Sequence, residues 1–450
     1  MTILNESGTP DTVSPLYGIS SLAERLPDTL FVVTGTRADM HLARSLSLPL
    51  PGTPAGWASG GFGVHPRVVF VVIEPDEEPD AGALASYIVE AAAGFRTTEL
   101  VLLITCRSVS LLGFDAEFEA TLAERRLGLP VQAVPLYTDS GGNVLSTDLE
   151  DAVLRTLVEL CPRSTPRFVE ERARSKGGVL DRFPFPFRGR PGRRTVGEER
   201  DARRPVILLG ALPGSQRELM AELSRAGLEV IGGVPGAEGN WLPAISEDTV
   251  VAAADPYLSG ASRAAEERGA TVVRSLLPIG VDGTARFVQD VAASAGRGTS
   301  EAERARSVWK GLEPLRNRIR GRRIFFTGGT GLEVPLARFL ADAGAVVLEV
   351  GTPRLEKRFL AAELAALGED VDVIESPDWR AQIDRIDAAQ PDVVVASPGL
   401  YVPLVARGHL CRSTLDLLSL EIHGYGGARR ILELFARSLE RAERLDTLEM

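Results

Sequence analysis

Short apolar runs rich in β-branched residues recur along this chain, each followed by a stretch with helical spacing. In the first third they fall at residues 30–34 (LFVVT), 68–73 (VVFVVI), 101–105 (VLLIT) and 131–137 (VQAVPLY). Continuous apolar runs, as opposed to alternating ones, predict strands buried on both faces, as in a parallel sheet covered by helices. Residues 83–93 and 114–126 show the i, i+3, i+4 spacing of helices that pack on such a sheet. A second series starts at residue 205 (PVILLG) and continues through 228–231 and 272–277. A connecting helix is predicted over 299–321, with Val308, Trp309, Leu312, Leu315 and Ile319 as its apolar positions. The third series runs through 324–327, 346–350, 371–374 and 393–396.

Three successive series of alternating strand and helix predict an α/β chain of three Rossmann-like, doubly wound domains. The first is expected over residues 1–161 and the second over 205–298. The third, opening with the connecting helix and closing in C-terminal helices, is expected over 299–450. Between 162 and 204 the texture changes to Arg, Pro and Gly, with FPFPFRGRPGRR at 183–194. Proline cannot donate to a ladder and like charges repel, so this segment reads as a linker or insertion. A length of 450 residues suits three domains of about 150 each.

Charge and cysteine content narrow the function classes. A net charge of -11 argues against a general nucleic-acid binder, which needs a basic face to neutralise phosphates. The cysteines, Cys106, Cys161 and Cys411, form no CxxC pair, so neither a disulfide framework nor a structural zinc site is expected. The start of the chain is polar and no apolar stretch is long enough to span a bilayer, which gives the cytoplasm as the expected address. The histidines, His41, His65, His409 and His423, show no HExxH spacing, and no GxSxG elbow occurs. Residues 35–41 (GTRADMH) follow a strand but lack a Walker lysine and serine, so no ATP site of that class is expected.

Two local patterns could carry chemistry. The turn Thr327-Gly328-Gly329-Thr330-Gly331 lies between a strand and a helix, and Glu349 follows at the end of the next strand. That is the arrangement of a dinucleotide site, with a pyrophosphate over the glycines and a carboxylate on the ribose. Position 334 is Val, however, where the third small residue of the fingerprint should fall, and a tight turn needs glycine for backbone reasons alone. Cys106, in ITCRS at 104–108, stands at the carboxyl end of a buried strand, where ligands and nucleophiles are found.

Read collinearly, longer segments resemble the N-type subunits of light-independent (dark-operative) protochlorophyllide reductases, which are nitrogenase-like enzymes. They are LPDTLFVVTGTRADMHLAR (26–44), YTDSGGNVLSTDLEDAVL (137–154), VILLGALPG (206–214), LLPIGVDGTARFVQDVA (276–292), LEVPLARFLADAG (332–344) and GLYVPLVARGHL (399–410). The resemblance covers almost the whole chain outside the Arg/Pro segment. It implies the fold of nitrogenase component 1, and it makes Gly328–Gly331 a structural turn. It further implies an oxidoreductase subunit of bacteriochlorophyll biosynthesis, active with a homologous B-type subunit in a heterotetramer. Electrons would come from a separate ATP-hydrolysing iron–sulfur protein, and the substrate would be a tetrapyrrole. In the family the N-type subunit gives three cysteines to a 4Fe-4S cluster shared with the partner subunit, which gives an aspartate. Motif by motif those positions fall here at Ser14, Asp39 and Cys106, so only Cys106 keeps the thiol. Oxygen ligands of this kind bind iron but would make a cluster labile. A flat macrocycle needs an apolar slot with few polar anchors, for which Trp57, Phe62, His65, His423 and Tyr425 are the candidates. Two alternatives remain: a dinucleotide-dependent oxidoreductase using Gly328, Gly329, Gly331 and Glu349, and a non-catalytic scaffold or assembly subunit.

Overall fold

The computed structural model describes residues 2–8, 12, 14–40, 65–73, 81–136, 145–163, 204–236, 242–368 and 370–448. Among the described residues fourteen strands form three parallel sheets. The first contains β2 (Thr29–Gly35), β3 (Val68–Val72), β4 (Leu100–Thr105) and β5 (Val131–Pro135), in the order β3-β2-β4-β5. Every residue of β2 and β4 is buried, the consequence of continuous apolar strands between two helical layers. The second sheet, in the order β7-β6-β8-β9, comprises β6 (Val206–Leu209), β7 (Val230–Val234), β8 (Val250–Ala253) and β9 (Thr271–Val273).

The third sheet has six strands, ordered β1-β12-β11-β10-β13-β14. It comprises β10 (Arg323–Phe326), β11 (Val346–Thr352), β12 (Asp372–Glu375), β13 (Val393–Ala396), β14 (Cys411–Ser413) and β1 (Thr2–Asn5). The doubly wound α/β class expected from the apolar runs is therefore what the chain forms. Three strands went unread in the sequence: β8 has the small-residue run VVAA, β14 is three residues long, and β1 lies in a polar stretch. Most distant in sequence is the pairing of β1, which adds in register to β12, Thr2 opposite Asp372 and Asn5 opposite Glu375. Arg385 fastens it from below, bonding Glu6 at 2.7 Å and Glu349 at 2.6 Å.

Helix ends follow local chemistry. Asp115 caps the helix Ala116–Leu127 by accepting from the Phe118 N–H, and Gly128, at φ 69°, closes it. Helix Ser146–Leu160 sits where the three sheets meet. Its Asp151 carboxylate accepts the Gly260 and Ala261 N–H groups of the second unit, both at 2.9 Å, and Asp148 pairs with Arg354 of the third at 2.8 Å. Between them Tyr257 is buried, with the Arg354 guanidinium 5.0 Å over its ring and its hydroxyl donating to the Arg354 carbonyl. One apolar cluster runs through the first two units, including Leu102, Leu157, Ile207, Val251 and Leu258. A second fills the third unit around Phe326, Phe339 and Phe435.

Candidate functional site

In a doubly wound parallel sheet a crevice opens beyond the carboxyl ends of the two neighbouring strands whose connections leave in opposite directions. Here those pairs are β2/β4, β6/β8 and β10/β13.

At the first crevice, the turn after β2 carries Asp39 and the residue after β4 is Cys106. Asp39 Oδ2 accepts three hydrogen bonds: from the Thr36 N–H at 2.8 Å, the Thr36 hydroxyl at 2.8 Å and the Ser108 hydroxyl at 2.7 Å. A Cβ at Gly35 would stand 3.0 Å from the Asp39 side chain, so glycine lets this turn close. The Cys106 N–H donates to the Thr34 carbonyl at 2.9 Å, which holds its thiol at the strand end. Burial, and then the Asp39 charge, push that thiol up to about 12. Ser14 caps the short 3-10 turn Pro15–Gly18, accepting from the Leu16 N–H at 3.3 Å. Leu16, Met40 and Cys106 belong to one apolar cluster, which brings the Ser14 turn to the same core. Asp39 and Cys106 thus face one another. Thr36 and Ser108, which hold Asp39, were missed as site residues although both lie inside the segments singled out around it.

This donor set does not fit a cluster gripped by thiolates. Iron–sulfur clusters take deprotonated cysteines, and one thiol stands here, in surroundings that favour its proton. One Asp39 oxygen, Oδ2, already accepts from three donors, and the Ser14 oxygen is spent on a cap. Among the described residues no group of three His, Cys, Asp or Glu side chains could hold a metal ion.

The tetrapyrrole-wall candidates are not gathered beside this crevice. His65 lies at the start of β3, the opposite end of the sheet from Cys106, and its Nδ1 accepts from the Arg67 N–H at 3.2 Å in a turn. His423 is buried between the second and third units, bridged to Ile279, and burial pushes its imidazole down to about 4. Tyr425 is 5% exposed and packs under Arg304, 5.3 Å from its ring, with its hydroxyl turned to Glu301. The structure thus places the three wall candidates apart: the length of the parallel strands separates His65 from Cys106, and His423 and Tyr425 lie in the packing between the second and third units. Trp57 and Phe62 lie outside the described residues.

The third crevice holds the glycine turn, and protein fills it. The Thr330 and Gly331 N–H groups both donate to the Glu333 carboxylate, at 2.7 and 2.8 Å, leaving neither for a pyrophosphate. A Cβ at Gly331 would lie 2.7 Å from the Tyr257 ring and 3.0 Å from Leu145, so this glycine makes room for side chains of the other two units. Glu349 points away into a pair with Arg385, bonding it at 2.6 and 2.9 Å, and accepts from Gln382. The dinucleotide geometry read from Gly328, Gly329, Gly331 and Glu349 is therefore not formed: the Thr330 and Gly331 amides are capped internally and the Glu349 carboxylate is paired with Arg385.

Comparison with known proteins agrees with this architecture. Residues 83–440 match the family described as nitrogenase component 1 type oxidoreductase. The light-independent protochlorophyllide reductase subunit N of Heliobacterium modesticaldum is 34% identical over 98% of this chain and 97% of its own length. Its counterpart in Roseiflexus castenholzii is 32% identical, over 99% and 96% respectively. A solved structure titled nitrogenase Cp1 at pH 6.5 superposes with a TM-score of 0.64 at 14% identity, covering 98% of this chain and 94% of that one, a likeness of fold. The resemblance read from the collinear segments is thereby borne out, and the chain belongs to the nitrogenase component 1 type oxidoreductase family.

Proposed function

We propose that this chain is the N-type subunit of a light-independent, nitrogenase-like reductase that adds two electrons and two protons across a tetrapyrrole double bond. End-to-end similarity to subunits of that name carries the reading, since it spans all three units rather than a single nucleotide-fold motif. A homologous B-type subunit completes the complex, and an ATP-hydrolysing iron–sulfur protein delivers the electrons. No Walker motif is needed on this chain in such an assembly, and none is present in its sequence.

Ser14, Asp39 and Cys106 stand at the positions where the family carries cluster cysteines. If iron is held there, Cys106 is the thiolate, Asp39 the carboxylate and Ser14 the hydroxyl ligand, with the partner subunit closing the set. The altered donor set favours a second reading within the same class, in which this chain shapes the crevice and positions substrate while the partner holds the redox group. In either case Asp39, oriented by Thr36 and Ser108, is the polar group fixed at the first crevice.

Anaerobic co-purification with the B-type subunit and the reductase protein, followed by an absorption assay for tetrapyrrole reduction, tests the function. Turnover that requires ATP and all three proteins is expected. Absence of reduction by a fully reconstituted, folded complex would refute it. Iron analysis of the same preparation separates the two readings: iron lost on Cys106→Ala supports ligation by this chain, and iron retained supports the second.

A further inference from the structure

A cleft outside the crevices described above lies beyond the carboxyl ends of β8 and β9. Its core measures about 90 Å³, roughly six to nine times the space one water needs. One wall is a face of helix Ser259–Glu267, where Ser259, Ser262, Arg263 and Glu266 recur at i, i+3, i+4 and i+7. The opposite wall comes from the third unit, where Arg358 lies in the first turn of the helix Lys357–Leu367. Phe287 and Leu277, both buried, make an apolar floor.

Charge in the cleft is unevenly used. Glu266 is neutralised by Arg274 at 3.2 Å. Arg358 contacts Glu356 at 3.3 Å and lies 4.4 Å over the Phe359 ring, while Glu356 is shared with Arg354. Arg263 has no hydrogen-bond or ion-pair partner among the described residues, and neither do the Ser259 and Ser262 hydroxyls beside it. At the back, Asp255 accepts the Tyr257 N–H at 2.8 Å, and burial pushes its carboxyl up to about 7. Near neutral pH it therefore carries its proton in a good part of the molecules and can donate it to an anion.

We infer that this cleft binds a small organic oxyanion, a carboxylate or phosphate monoester with a short body, held by Arg263 and the two serine hydroxyls and bordered by Arg358. A guanidinium beside hydroxyl donors is the usual recognition set for such a headgroup, and charge-assisted bonds of this kind are the stronger ones. Gly260 and Ala261 at the helix start are already bonded to Asp151, so the side chains, and not the helix amides, would grip the ligand. Because its walls belong to two sheets, a bound ligand would clamp the second and third units together and raise the unfolding temperature.

Isothermal titration and thermal unfolding of the purified full chain test this, with glycerol 3-phosphate, 3-hydroxybutyrate and glycerol as probes. Saturable binding of at least one anion is expected, with an accompanying rise in melting temperature and no response to glycerol. Whichever anion binds tighter assigns the headgroup. Arg263→Gln, an exposed change, should weaken binding about tenfold or more, and Ser259→Ala with Ser262→Ala several-fold. Asp255→Asn should retain binding, and Arg155→Gln, on an exposed helix face of the first unit, should not alter it. No saturation below about 10 mM, an equal response to glycerol, or unchanged affinity in Arg263→Gln would overturn the inference.

Discussion

Glu363→Leu is expected to uncouple the third unit from the segment that leaves the second. Arg338 and Glu363 are each 1% exposed at the side chain, and Arg338 Nε meets Glu363 Oε2 at 2.5 Å. The other Glu363 oxygen accepts the Leu277 N–H at 2.6 Å, and the Arg338 guanidinium also donates to the Ile279 carbonyl at 2.7 Å. Two buried charged groups thereby hold one stretch of backbone from both sides. Removing the carboxylate leaves a buried guanidinium whose remaining charged partner among the described residues is Asp342, 3.0 Å away and 25% exposed, and leaves the Leu277 amide unbonded. Breaking such a pair costs about 3–5 kcal/mol, most of it from the stranded partner. The double variant Arg338→Met, Glu363→Leu removes both charges and forfeits the two backbone bonds, about 1 kcal/mol each, and the partly exposed contact to Asp342. Two single variants at the low end of that range, about 3 kcal/mol each, against a double at about 2–3 kcal/mol give a coupling energy of roughly 3–4 kcal/mol. Urea unfolding, read by tryptophan fluorescence, measures it, since Trp309 packs 6.1 Å from the Phe339 ring, next in sequence to Arg338. A single variant costing under about 1 kcal/mol, or a double variant costing the sum of the singles, would refute a charge-pair origin.

Three further outcomes are expected. Gly331→Ala, at φ 90° with a Cβ 2.7 Å from the Tyr257 ring, should destabilise the chain by about 2–3 kcal/mol, visible as a lowered melting temperature. Burial holds the His423 imidazole at about 4 against an ordinary 6.5, so the unfolded chain binds more protons between those values. Stability should therefore fall as pH drops from 6.5 towards 4, by up to about 1.4 kcal/mol per pH unit from this group; His423→Phe should flatten that slope, and an unchanged slope would show the imidazole to be solvated. With its thiol pushed up to about 12 and 5% exposed, Cys106 should resist iodoacetamide at pH 8 in the folded chain and react once unfolded, as read by mass spectrometry.

Hydropathy alone predicts the class of fold, because strands buried on both faces must be apolar along their whole length and their helices must alternate with them. It also marks Cys106, which stands at the end of a legible strand, whereas Asp39 is singled out by the family resemblance. Their mutual approach is a different matter: it depends on β2 and β4 lying side by side, a pairing that no local spacing encodes. The glycine turn illustrates the converse. Its sequence is equally good for a pyrophosphate or for a neighbouring side chain, and only the docking of Tyr257 and Leu145 decides between them. The pairing of Thr2–Asn5 with a strand some 370 residues away, and the placing of Arg263 and Arg358 on the walls of one cleft, arise from how the units close on one another. Periodicity within a segment fixes which face is apolar; which partner covers that face is set by long-range packing, and so the crevices and the cleft belong to the tertiary structure.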